Sequence, residues 1–247
     1  MQKICIIMLF QVLHLSTFVV FAKSMDATQN RYVVGVDFGL SFSTTVGHET
    51  SFPLGYSTFH YGPSHTGTTP AEIGVFIGKM IPLSTRNLLQ VALNYDDIAK
   101  IKVNGGLEQG VSPPFYPFRY DNDIKSSQLL IEGKLLHQVR DLFYPYFTAG
   151  LGAGFNQAKD YATNIPPYLT LTPNYANKST TSFSYMLGLG LDVSLFQSLT
   201  VGFGYRFSDL GTVKLGDGQL RNVAIINPMN STHLYLNTLL LQLIYFF

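Results

Sequence analysis

The stretch STHLYLNTLLLQLIYFF, residues 231–247, is too short for a membrane-spanning helix but long enough for a membrane-spanning strand. A helix needs roughly 20 apolar residues to cross a bilayer core, whereas a tilted strand needs only about 9–11. In a strand, Leu239, Leu241, Leu243, Tyr245 and Phe247 share one face, which is wholly apolar, and the opposite face is mixed. The stretch therefore predicts a strand with one face turned toward lipid.

The composition supports this interpretation. Apolar residues make up 46% of the chain and charged residues only 13%, about half of what soluble domains carry. Tyr (15) and Phe (19) are abundant, Trp is absent, and the formal net charge is +1, so neither a nucleic-acid groove nor a basic membrane-surface patch is indicated.

The N-terminal residues resemble a targeting segment. Residues 1–22 combine basic Lys3, an apolar stretch and the small residue Ala22, which predicts a cleaved signal peptide, with an uncleaved helical anchor as the alternative. The only cysteine, Cys5, lies in this segment, so the mature chain has no thiol, as suits an oxidising compartment. We predict a signal peptide at 1–22, a short N-terminal segment at 23–30 and one β-barrel domain at 31–247.

Alternation by two recurs after residue 30. Phe147, Leu151 and Phe155, for example, alternate with Gly150 and Gly154. The predicted strands are 32–42, 71–80, 88–96, 128–137, 145–156, 181–194, 199–208 and 231–247. Bulky residues on one face and small or polar ones on the other favour a membrane barrel over a soluble lipocalin-type barrel, since a narrow lumen accommodates small and polar side chains.

The connections alternate in length. Long connections at 43–70, 97–126, 157–180 and 209–232 alternate with short ones at 82–87, 138–144 and 195–198. An unpaired strand edge cannot face hydrocarbon, so the sheet must close. We predict an all-β fold, an eight-stranded antiparallel up-and-down transmembrane β-barrel with four long extracellular loops and short periplasmic turns.

Two motifs resemble a known family. GFGYRFSDLG (202–211) is similar to the Gly-Tyr-Arg-Tyr-x-Asp-Phe-Gly stretch of the small eight-stranded outer-membrane barrels, such as opacity-type proteins and the OmpA transmembrane domain, and the ending Tyr245-x-Phe247 also matches. The resemblance covers about residues 31–247. It implies a bacterial outer membrane, with lipid and lipopolysaccharide around the barrel. It also implies an assembly signal, read by the barrel-assembly machinery, at Leu241, Leu243, Tyr245 and Phe247, although Gln242 and Phe246 depart from the family pattern.

Seven charged residues fall on the predicted inward faces of the strands. They are Asp37, Glu72, Asp96, Glu132, Lys134, Asp192 and Arg206. Charges removed from water must pair, so we predict a network that fills the lumen and fixes strand register. The alternative is an ion path in which Arg206 or Lys134 exchanges carboxylate partners. A wide pore is not expected, because eight strands enclose room only for side chains.

The second and third long connections are rich in proline and aromatic residues. Their candidates for contact with a partner are Phe115, Tyr116, Phe118, Tyr120, Tyr168 and Tyr175. Aromatic side chains held by proline can anchor a partner at low entropic cost. The alternative is that these segments extend the strands or pack on one another.

These observations lead to three hypotheses of function. The first is a non-enzymatic, monomeric surface protein whose loops mediate adhesion or contact with the envelope or a host. The second is a narrow, low-conductance channel, and the third a lipid A-modifying enzyme. No Ser/His/acid set converges on one rim of the predicted barrel, so the sequence predicts no catalytic, cofactor or metal site and no nucleic-acid partner.

Overall fold

The structure is a computed structural model that describes residues 30–43, 50–54, 57–62, 64–66, 69–110, 118–165, 172–220, 223–225 and 232–247. Its strands are Arg31–Ser43 (β1), Thr50–Leu54 (β2), Ser57–Tyr61 (β3), His65–Thr66 (β4), Ala71–Pro82 (β5), Asn87–Gly110 (β6), Phe118–His137 (β7), Phe143–Asn164 (β8), Asn174–Tyr175 (β9), Lys178–Phe196 (β10), Leu199–Val213 (β11), Gly218–Leu220 (β12), Val223–Ile225 (β13) and Thr232–Phe246 (β14). The predicted signal peptide lies outside the described residues. Within the described part of the chain, no helix has the length and apolar character needed to cross a membrane.

Eight long strands close into a ring in which all neighbours are antiparallel. The order is β5, β1, β14, β11, β10, β8, β7 and β6, and β6 pairs with β5 to complete the ring. The first and last strands meet where Tyr32 and Phe247 exchange backbone hydrogen bonds of 3.0 and 3.1 Å. The predicted eight-stranded antiparallel barrel is confirmed.

The bulky face of each strand points outward. On β1, Phe38 and Leu40 are 49% and 58% exposed, whereas Asp37, which directly precedes Phe38, is 1% exposed. The same alternation runs along β5, where Ile73 and Ile77 are exposed. The apolar wall and the polar lumen are therefore arranged as a barrel in lipid requires.

The strands extend further than the sequence predicts. The strands β6, β7 and β8 contain 24, 20 and 22 residues, whereas about 9–11 suffice to cross a membrane. Residues 97–110 and 118–126, predicted as loop, therefore continue as paired strands. A search for strands with an apolar, lipid-facing side misses these residues, because here the apolar side chains point inward. We call this extension, with β2–β4, β9, β12 and β13, the head.

Two apolar clusters occupy the ends of the interior. The cluster near the short turns, called the floor, comprises Val33, Phe76, Met80, Leu88, Ala92, Leu136, Tyr144, Tyr146, Ile244 and Phe246. The cluster inside the head, called the head core, comprises Phe59, Tyr61, Ile98, Ile101, Val103, Leu107, Tyr120, Ile124, Ala158, Tyr175, Leu210, Val213, Leu215, Leu234 and Leu236. The charged residues lie between the floor and the head core along the strands.

Candidate functional site

The structure places all seven predicted inward charges inside the barrel. We call this set, Asp37, Glu72, Asp96, Glu132, Lys134, Asp192 and Arg206, the charged layer. Each of its side chains is at most 5% exposed. They come from β1, β5, β6, β7, β10 and β11, so the layer exists only because the ring is closed.

Arg206 is the centre of the larger half of the charged layer. Its guanidinium forms an ion pair with Glu72 and lies 3.2 Å from Asp96 Oδ1 and 3.8 Å from Asp37 Oδ2. The second oxygen of Glu72 accepts hydrogen bonds from Ser41 (3.1 Å) and also from the Thr238 hydroxyl (3.0 Å). One cation therefore neutralises charge on three buried carboxyl groups, which lie on three adjacent strands.

Lys134 is the centre of the smaller half. Its ammonium lies 2.7 Å from Asp192 Oδ2 and 3.8 Å from the centre of the Tyr146 ring. Glu132 on the same strand accepts hydrogen bonds from Thr148 (2.7 Å) and Asn94 (3.1 Å). Both oxygens of Glu132 are therefore hydrogen-bonded, which lowers the cost of burying this carboxylate inside the barrel.

Gln242 connects the two halves. Its Oε1 accepts a hydrogen bond from Lys134 at 2.9 Å, and its Nε2 donates one to Asp37 Oδ1 at 3.0 Å. Gly74 lies between Asp37 and Asp96 in register, where a Cβ atom would collide with the Asp96 carboxylate. Ion pairs and Gln242 thus connect four carboxyl groups and two cations into one network, Glu132 is held beside it by Thr148 and Asn94, and glycine leaves the space that the Asp96 side chain occupies.

The head core closes the interior above this network. Four tyrosines, Tyr61, Tyr120, Tyr161 and Tyr175, come from β3, β7, β8 and β9 and make ring contacts with centroid distances from 4.9 to 6.1 Å. Burial raises the pKa of Tyr120 to about 12. It also raises the pKa of the other three phenols, so all four remain neutral at physiological pH. These rings join separate extracellular segments into one packed unit.

Residues 13–227 match the family described as outer membrane protein beta-barrel domain. The chain belongs to this family. It is therefore an outer-membrane β-barrel protein of a bacterium, as the sequence motifs predict. No curated protein matches the chain in sequence.

Solved outer-membrane structures are similar to this chain, and one of them has a TM-score above 0.5. The outer membrane protease OmpT of Escherichia coli superimposes with a TM-score of 0.53 at 9% identity, over 88% of this chain and 97% of that one. Neisserial surface protein A gives 0.44 at 11% identity, over 87% and 96% of the two chains. Ail, the attachment invasion locus protein of Yersinia pestis, gives 0.44 at 12% identity, over 89% and 100%. At such identities the similarity concerns the fold alone.

The wall of this outer-membrane barrel carries aromatic residues at both ends of its apolar belt. Near the short turns, Tyr32 stacks on Phe247, which stacks on Tyr245. Near the head, Phe207 stacks on Tyr235 with ring centres 5.9 Å apart. Aromatic girdles of this kind mark the two membrane interfaces.

The predicted assembly-signal residues share the outer surface. Leu241, Leu243, Tyr245 and Phe247 are between 43% and 62% exposed. In the folded barrel they lie on the apolar outer wall, and both their contact with lipid and their recognition by the barrel-assembly machinery stay predictions.

The structure corrects part of the loop prediction. Tyr120 and Tyr175 are each 4% exposed, because their strands turn them into the head core, so they are not surface anchors for a partner. Phe118 is half-buried and packs against the same cluster. Phe115, Tyr116 and Tyr168 lie outside the described residues.

One acid–histidine pair escapes sequence reasoning. His233 Nδ1 lies 2.9 Å from Asp209 Oδ2, and the histidine ring stacks on Tyr235. Asp209 also accepts the backbone N–H of Gly211, a residue with φ of +79°, at a bulge between β11 and β14. The Asp-x-Gly spacing is the only sequence signal for this bulge. The pairing with His233 depends on the register between β11 and β14 across this bulge, and the pair fastens the bulge at the outer interface.

Proposed function

We propose that this outer-membrane barrel is a non-enzymatic surface protein whose head binds a partner in the envelope or on a host cell. The observation that carries the proposal is the filled interior. The floor, the charged layer and the head core succeed one another along the strands, and each consists of packed side chains. An eight-stranded barrel has room for little else, which leaves the head surface as the part that meets other molecules.

The construction of the head also supports this proposal. Paired strands continue well past the membrane belt, and their outward residues change from apolar to polar, as at Lys100, Lys102 and Asn104 on β6. Lys100 forms an ion pair of 2.8 Å with Asp123 on β7. A head with its own apolar core holds its surface in one conformation, which lowers the entropic cost of binding.

The test is removal of most of the head from an intact barrel. A variant in which two-residue turns join Ile98 to Ser126 and Asn156 to Thr180, which pair across β6–β7 and across β8–β10, removes these two hairpins of the head, including β9. Bacteria that display the full chain are expected to adhere to host cells or to one another, and bacteria with the shortened chain are not. Heat-modifiable gel migration of both proteins shows that the barrels are folded. Equal adhesion by the two strains would contradict the proposal.

A narrow channel is the second candidate, and the Arg206 site favours it. A guanidinium within 3.8 Å of three carboxyl groups can exchange partners, which is what a gate needs. Single-channel currents in planar bilayers that change in Arg206→Ala or Glu132→Ala would support this function. Electrically silent bilayers containing folded protein would exclude it.

The absence of catalysis has its own test. Purified, folded protein is incubated with lipid A, and the products are analysed by mass spectrometry. The proposal expects intact lipid A. Hydrolysis that disappears in His233→Ala would instead assign an enzymatic role to the Asp209–His233 pair.

A further inference from the structure

A small sheet lies on top of the head. The strands β9, β12 and β13 pair so that Gln219 lies between Asn174 and Ala224, and Gly218 lies between Tyr175 and Ile225. The row of Gly218, Tyr175 and Ile225 is buried, whereas Asn174, Gln219 and Ala224 are exposed. The sheet therefore turns one face toward the head core and presents a polar face outward.

The polar face forms part of a cleft of about 920 Å³. Its polar lining side chains are Thr172, Asn174, Asn177, Lys178, Asp217 and Gln219. The remaining lining is alanine, glycine and the buried Tyr175. The volume falls within the range of about 300–1,000 Å³ that ligand sites occupy.

Hydrogen bonds fix the frame of the cleft. Gly216 donates its backbone N–H to Ala176 O at 2.8 Å, and Ala176 donates to Asp217 O at 3.2 Å. Asn177 Oδ1 accepts the backbone N–H of Asp160 at 3.1 Å, which connects the cleft to β8. Beneath the sheet, the Tyr175 hydroxyl bonds to Tyr61 at 3.4 Å. The lining is therefore held in place by both the barrel wall and the interior of the head.

The chemistry of the lining selects one class of ligand. The amides of Asn174 and Gln219 each offer donors and an acceptor, as a hydroxyl group does, and Asn177, whose Oδ1 accepts from Asp160, adds its two N–H donors. Lys178 and Asp217 carry opposite charges, so the cleft favours neither an anion nor a cation. Among the lining residues, all of which the structure describes, no large apolar side chain is exposed, and an apolar peptide anchor finds no complement there.

We propose that this cleft binds an uncharged, hydroxyl-rich ligand, a neutral oligosaccharide. The inference rests on the proposed function of the head as the partner-binding part, and it names the class of partner. Asn174 and Gln219 carry the recognition, because they are cross-strand neighbours whose amides project from the same exposed face.

The test uses the full-length protein in lipid nanodiscs, because sugar-headed detergents would compete for the cleft. Isothermal titration measures binding of neutral hexasaccharides of glucose, galactose, mannose and N-acetylglucosamine, with a sulfated heparin hexasaccharide for comparison. Binding of at least one neutral probe, and weaker binding of the sulfated one, is expected. Failure of all neutral probes, or a preference for the sulfated probe, overturns the inference.

A matched pair of variants locates the site. Asn174→Ala combined with Gln219→Ala is expected to weaken binding roughly tenfold or more, since both amides lose their hydrogen bonds. Asn104→Ala combined with Gln157→Ala removes the same two residue types from exposed positions of the head outside the cleft and is expected to leave binding unchanged. Unchanged binding in the first variant, or equal weakening in both, overturns the assignment.

The proposed function and the cleft can fail separately. If adhesion survives in the Asn174→Ala, Gln219→Ala variant, the cleft is not the site that binds the partner, and the proposed function of the head is unaffected. If the protein binds an oligosaccharide but confers no adhesion, the proposed function is overturned and the assignment of the cleft is retained.

Discussion

The membrane-embedded barrel and the head follow opposite burial patterns along the same strands. On β6, Leu93 and Tyr95 face outward in the membrane-embedded barrel, whereas Lys100 and Lys102 face outward in the head. Inside, Asp96 belongs to the charged layer, and Ile101 and its neighbours belong to the head core. The change falls at the register shift between Ile98 and Ile101.

The difference shows that the solvent, and not the strand, decides which face is apolar. In lipid the outer wall must be apolar, and the narrow lumen takes small, polar and paired charged groups. In water the same ring of strands is stabilised by burying apolar groups inside. Each half can therefore be disrupted by a substitution that the other half tolerates.

The largest expected effect is in the charged layer. Arg206→Met leaves three buried carboxyl groups without their cation, and we expect a loss of about 3–5 kcal/mol in the free energy of unfolding. Urea titration of protein refolded into lipid vesicles, with the folded fraction scored on unheated gels, measures it. The control is Arg119→Met at an exposed position of β7, and similar unfolding midpoints for both variants would refute the expectation.

A cavity in the head core should act locally. Leu107 is fully buried, and Leu107→Ala should cost about 2–5 kcal/mol of local stability. Hydrogen exchange is expected to rise at residues 101–107 and to stay slow at 88–96 of the same strand, because the charged layer remains paired. Exposed Asn104→Ala serves as the control. A uniform rise along β6 would mean that barrel and head open together.

The outer wall offers a direct comparison of the two solvents. Ile131 is 67% exposed in the apolar belt, so Ile131→Lys should cost about 2–4 kcal/mol. Asn104→Lys places the same charge on the outside of the head, in water, and should change stability by less than about 0.5 kcal/mol. The vesicle urea titration distinguishes them, and equal costs would show that the membrane belt is wrongly assigned.

The smallest effect appears only in alkali. Because burial raises the pKa of Tyr120 to about 12, its neutral phenol stabilises the head, and this contribution is lost as pH rises from the unfolded value of about 10 through the folded value. Ultraviolet titration of phenolate absorbance should show Tyr120 ionising late, as identified by the step missing in Tyr120→Phe. A Tyr120 that titrates with the exposed tyrosines would contradict burial of the head core.

Much of the candidate site could be predicted because each inward charge lies in a regular alternation. The positions of Asp37, Glu72 and Arg206 follow from counting by two along strands whose other face is plainly apolar. The ends of the strands could not be found in this way. Above the membrane the apolar residues move to the inner face, so a pattern that seeks lipid-facing residues stops near residue 96 on β6 and misses the continuation to Gly110.

The sequence by itself determined the all-β class, the number of long strands, the inward charges and the apolar wall, because strand periodicity is local. Only the tertiary structure decided the partners. The ion pairs of Arg206 cross from β11 to β5 and β6, the Asp209–His233 pair forms across a bulge, and Tyr175 meets Tyr61 inside the head. The Arg206 and Tyr175 contacts depend on the closed ring, which brings together strands far apart in the chain, and the Asp209–His233 pair depends on the register across a bulge, so no local pattern specifies them.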